Sequence, residues 1–137
     1  MRVIVNIDVP ELSSAIAFYT TALGLELSRT LDDDVAELCG ATSVIYLLQK
    51  PPGSSFATTS ARGREYGRHW TPVHMDFVVD DIVEATRRAL DAGACRESEC
   101  VEWRGSKCVT FSDPFGNGFC LIEFEDGTYR GDAATAE

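Results

Sequence analysis

At 137 residues, 45% hydrophobic and 25% charged, the chain fits one soluble domain or two small modules sharing a core. A net charge of −10 argues against nucleic acid or anionic membrane as the main partner, and no apolar run approaches the roughly 20 residues of a transmembrane helix. Five cysteines without a C-x-x-C pair fit reduced thiols, and the early charge in MRVIVNIDVPE does not suit a signal peptide, so a cytoplasmic protein is expected.

From the start, MRVIVNIDVP reads as a strand ended by a polar break. Leu12, Ala15, Ile16, Tyr19 and Leu23 then follow the i, i+3, i+4, i+7 rhythm of one helix face, and Gly24 is the stop. Three short strands are predicted over 25–29, 35–39 and 43–49, separated by the acidic run at 32–34 and by Gly40. The same order returns further on. PVHMDFVVDD reads as a strand, and a helix follows with Asp81 at the N-cap and Glu84 completing a capping-box pattern. Ile82, Ala85, Ala89 and Leu90 form its inner stripe and Gly93 ends it. Strands are predicted over 95–102, 107–112 and 117–125. Val9 and Val79, Leu12 and Ile82, and Ala15 and Ala85 correspond at an offset of 70.

The chain therefore divides into a first βαβββ module (1–49), a linker (50–70), a second βαβββ module (71–125) and a C-terminal tail (126–137) expected to be mobile. A four-stranded sheet with one helix buries one face only, so two such units are expected to place their sheets around a shared cavity, helices outside, in an α+β fold. The linker sets Lys50, Arg62, Arg64 and Arg68 against Glu65, a basic arm in an acidic chain. It suits a solvated loop, docking on an acidic second subunit, or delivery of positive charge to an anionic ligand.

DVPELSSAIAFYTTALGLEL, HMDFVVDDIVEATRRALDAGA and DPFGNGFCLIEF resemble the vicinal oxygen chelate superfamily, which includes glyoxalase I, bleomycin-resistance proteins and extradiol dioxygenases. The resemblance covers residues 1 to about 125, and its motifs mark the fold more than any one activity. It implies metal-ligand positions early on the first strand and on the last strand of each module. Here these are Ile4 and Tyr46 in the first module, and His74 and Cys120 in the second. Cys120 and Ile122 are then expected to face the cavity and Glu123 the other side. Trp70, Trp103 and Arg68 are expected in the cavity wall, with Phe56, Tyr66 and Phe115 as further aromatic candidates.

The family ligands are His, Glu or Gln. Ile4 coordinates nothing, and Tyr46 must ionise first, with a phenol pKa near 10. His74 and Cys120 remain, with His69 a third ligand if the linker folds back, so no tightly bound metal is expected. The plainer reading of Cys120 is a small apolar filler, and of His74 a satisfied histidine hydrogen-bonded to Tyr46 or a carbonyl. Asp113 and Asn117 read as turn chemistry. A hairpin turning at Gly105-Ser106 would set Trp103 opposite Cys108 and Cys100 opposite Phe111. The functional expectation is a homodimer that binds a small organic molecule, anionic or aromatic, with the linker at its interface. The alternative is a metal-dependent lyase, isomerase or dioxygenase, with His74 catalytic and a zinc, nickel, manganese or iron ion chelating adjacent substrate oxygens.

Overall fold

The computed structural model describes residues 1–55, 57–58 and 62–132, so Phe56 lies outside the described residues. The order is β1 (Val5–Val9), α1 (Leu12–Leu23), β2 (Glu26–Leu31), β3 (Val35–Cys39), β4 (Ile45–Gln49), then β5 (Met75–Val78), α2 (Ile82–Asp91), β6 (Cys95–Arg96), β7 (Val101–Trp103), β8 (Ser106–Ser112) and β9 (Gly118–Phe124). It is an α+β fold in which the βαβββ pattern occurs twice, the strand after α2 being split into β6 and β7.

Both helices start by the same device. Glu11 is extended and its carboxylate accepts from the amides of Ser13 and Ser14, at 3.1 and 2.8 Å. Asp81 does the same for Val83 and Glu84, at 3.1 and 3.2 Å. The preceding amide reaches across to the last strand of its own module. Leu12 N donates to Gln49 Oε1 at 2.8 Å, and Ile82 N to Glu123 Oε1 at 2.9 Å. Carboxylates and amide oxygens at these positions satisfy N–H groups that have no partner within the helix. Glu84 turns to Arg87 instead of closing a capping box. Gly24 (φ 68°) ends α1 in the left-handed conformation that glycine adopts without strain.

In the first sheet the order is β1-β4-β3-β2, with β1 parallel to β4 and the rest antiparallel. In the second it is β5-β9-β8-β6, with β7 also on β8. The sheets are not closed into a barrel. Helix α1 packs on the first sheet, α2 on the second, and the two helices pack on each other. The core they share holds Val9, Phe18, Leu38, Leu47, Phe111, Phe119 and Leu121. Fully burying side chains of this size contributes about 1.5–3 kcal/mol each before entropy is counted. Phe111 and Phe119, opposite one another on β8 and β9, stack at 5.5 Å, and Phe18 meets Phe119 edge-on.

Three local expectations need correction. The segment predicted as one strand over 95–102 is split into β6 and β7, because Ser98 turns its hydroxyl to accept the Thr110 amide at 2.9 Å, replacing a ladder carbonyl. The hairpin turns at Arg104-Gly105, both with positive φ, which pairs Trp103 with Ser106 and Val101 with Cys108. On α2, Leu90 is exposed and Thr86 is buried in the inner stripe.

Candidate functional site

On β9 the alternation of side chains decides what each face presents. Phe119 and Leu121 enter the helix-side core, so Cys120 and Ile122 occupy the opposite face of the second sheet. Asp76 on β5 and Thr110 on β8 pair directly with Cys120, and His74 stands two residues before Asp76 on the same face. Glu123 points to the helix side, where it caps α2.

His74 Nε2 lies 3.1 Å from Asp76 Oδ1. The Cys120 thiol lies 3.4 Å from Thr110 Oγ1. Donor atoms of His74, Asp76 and Cys120 all fall within 4.8 Å of one another. Burial raises the Cys120 thiol above its ordinary pKa, with Asp76 adding to the rise and Thr110 opposing it. Burial also pushes its neighbour Cys108 up to about 12, so both are thiols at neutral pH. Asp76 is the member that sequence reasoning missed. Strand alternation puts positions 74 and 76 on one face, but alternation alone does not separate a site carboxylate from a solvated one.

Arg68, Trp70, His74 and Cys120 border one pocket of about 250 Å³, with Thr71, Thr110, Gly118 and Phe119 completing it. The linker builds its outer wall. Arg68 is fixed by Glu97, Nε to Oε2 at 2.7 Å and Nη2 to Oε1 at 2.9 Å. Its guanidinium crosses Gly118 so closely that a Cβ there would sit 2.6 Å from Nη2. Further back, Arg64 reaches Asp8 at 2.7 Å and the Tyr66 hydroxyl donates to Lys50 O at 2.7 Å. Arg64 and Arg68 thus pair within their own chain. Trp70 is 80% exposed.

The remaining expected residues lie outside this pocket. On the first sheet the Tyr46 hydroxyl donates to Glu37 Oε2 at 2.7 Å, and Arg29 pairs with the same carboxylate at 3.1 Å. The hydrogen bond from Tyr46, then that from Arg29, lowers Glu37 to about 2. Ile4 is exposed just before β1. His69 bonds through Nδ1 to Gly67 O at 3.0 Å and is outside the His74 cluster. Phe115 belongs to the core. Ile122 shares the face with Cys120 one row along, and Trp103 sits at that face's far end.

Residues 4–122 match the glyoxalase-like domain family. No curated protein matches the sequence. Among solved structures, a lactoylglutathione lyase from Agrobacterium tumefaciens is 22% identical, with 90% of this chain and 92% of that one covered and a TM-score of 0.63. A genomically encoded fosfomycin resistance protein from Listeria monocytogenes is 19% identical over 90% and 92%, TM-score 0.68. A glyoxalase/bleomycin resistance protein/dioxygenase from Nocardioides is 20% identical over 98% and 89%, TM-score 0.66. At these identities the likeness is one of fold.

Proposed function

The chain belongs to the glyoxalase-like domain family of the vicinal oxygen chelate superfamily, and on that premise we propose that it binds a small organic molecule without a tightly held metal ion. The observation that carries this reading is the split of the inherited ligand positions. Ile4 has no donor, and Tyr46 gives its hydroxyl to Glu37. His74 already faces a carboxylate, and Cys120 is held as a thiol. The indole of Trp70 offers a flat apolar wall, and His74 a hydrogen-bond partner for a polar or anionic group.

The reading includes a homodimer. Trp70, Val73 and Val78 leave a large apolar surface in water on one chain, and a second copy is the partner that would cover it. Five unpaired thiols suit a reducing compartment such as the cytoplasm. Among the described residues no helix is long and apolar enough to cross a membrane. A thermal-shift screen of small organic acids and aromatics tests the binding role. Stabilisation by a hit, lost in both His74→Ala and Trp70→Ala, supports it, and a hit indifferent to both substitutions contradicts the site.

One observation favours a second reading. His74, Asp76 and Cys120 form a compact N, O, S set that fits a zinc-like ion, leaving a position for water or substrate. Such an ion would polarise two adjacent substrate oxygens, the chemistry of a lyase, isomerase or dioxygenase. In that case His74 and Asp76 would be ligands, Thr110 would orient the sulfur, and Arg68 and Trp70 would bind the rest of the substrate. Metal analysis of untagged protein, with His74→Ala as control, separates the two.

A further inference from the structure

The face that carries His74 and Cys120 continues beyond them in registered rows. Asp76, Cys120 and Thr110 form one row. Val78, Ile122, Cys108 and Val101 form the next, and Phe124, Ser106 and Trp103 the last. At about 3.3 Å per strand residue, the polar row and the aromatic row stand roughly 13 Å apart. The middle row is apolar, and it is covered unevenly. Val78 and Val101, at its ends, are exposed, whereas Ile122 is 2% exposed and Cys108 half-buried.

The chain just after β9 returns across the aromatic end. Glu125 N donates to Gly105 O at 2.9 Å and Arg130 N to Arg104 O at 2.7 Å. Arg104 answers with Nη1 to Arg130 O at 3.1 Å and pairs with Asp132 at 2.6 Å. This loop sets the Tyr129 ring against Trp103 at 5.0 Å and Phe124 at 4.8 Å. Its contacts with Trp103 and Phe124 put the ring on the aromatic row, over buried Ser106 and next to the row of Cys108 and Ile122. Among the described residues nothing equivalent follows β4, which runs into Lys50-Pro51-Pro52 and the linker.

We propose that residues 125–132 form a strap holding Tyr129 over the apolar row, and that Tyr129 is a specificity-determining wall of the proposed ligand site. The ligand class this implies is an amphiphile, with a polar group at His74, Asp76 and Thr110 and an apolar body lying toward Tyr129 and Trp103. The assignment rests on the binding site proposed above, but its test needs no ligand.

The test is alkylation of the free protein by iodoacetamide, with each cysteine followed by peptide mass spectrometry. Tyr129→Ala and Arg104→Ala are each expected to speed labelling of Cys108 about tenfold, as local opening of a cover does, while exposed Cys39 keeps its rate and the melting temperature stays within a few degrees. Cys108 labelled at the parental rate in both variants overturns the strap. If either variant unfolds, amide exchange of the parent protein decides. Protection of the Arg130 amide supports the strap, and exchange at the rate of an open chain overturns it. Neither outcome depends on whether the thermal-shift screen yields a ligand, so failure of the site and failure of the strap are told apart.

Discussion

Tyr19, in the middle of the first helix, donates its phenolic hydrogen to the buried carboxylate of Asp113, which opens the turn before the last strand of the second module. The same carboxylate accepts the amides of Phe115 and Asn117, both at 2.8 Å, and the Asn117 side chain at 3.0 Å. Asn117 in turn donates to Asp8 O on β1 at 3.3 Å. A turn that reads as local chemistry is therefore also a polar joint between the modules.

Tyr19→Phe should cost about 1–2 kcal/mol, since the carboxylate keeps three donors and loses one. That lowers the melting temperature of a chain this size by a few degrees. Asp113→Ala should cost more, because it leaves a buried amide, a half-buried amide and the buried Tyr19 hydroxyl without their acceptor. Equal melting temperatures for the two variants would contradict the joint.

Gly116→Ala should destabilise by about 1–3 kcal/mol, the usual cost of a strained backbone site. Its φ is 89°, and a Cβ there would stand 2.6 Å from Tyr66 O, so the linker would have to lift off the turn. Thermal unfolding measures the loss, and faster proteolysis at residues 62–68 reports the lifting.

Glu37 gives a pH signature. Its folded value is about 2 against an ordinary 4.5, so its pairing stabilises the fold above about 4.5. That contribution is lost as the pH falls from 4.5 toward 2. Tyr46→Phe removes the largest cause of the shift, so the Glu37 carboxylate should titrate closer to 4.5 by NMR. An unmoved titration would mean that Tyr46 is not its partner in solution.

Cys120→Glu should raise zinc or nickel affinity about tenfold or more, because it sets an ionised carboxylate beside His74 and Asp76 where a protonated thiol now stands. Calorimetric titration reads the change. Equal affinity in the two proteins would contradict the placement of position 120 beside His74.

The repeat was legible because strand and helix periods differ, and because Val9 and Val79, or Leu12 and Ile82, recur at the same place in each module. The facing of Cys120 followed from alternation together with the resemblance. Asp76 was not legible, because a carboxylate on a half-exposed strand has no spacing that separates a site residue from a solvated one. The partners of Arg64 and Arg68 were also hidden, since Asp8 and Glu97 lie 56 and 29 residues away along the chain. The hairpin register failed by a shift of the turn: the left-handed residues are Arg104 and Gly105, and arginine carries no turn signal.

Native mass spectrometry of untagged protein as isolated tests the central claim most directly. The account predicts a two-chain species with no stoichiometric metal, carrying at most an organic adduct that His74→Ala sheds. One divalent ion per chain, lost on His74→Ala, would contradict it.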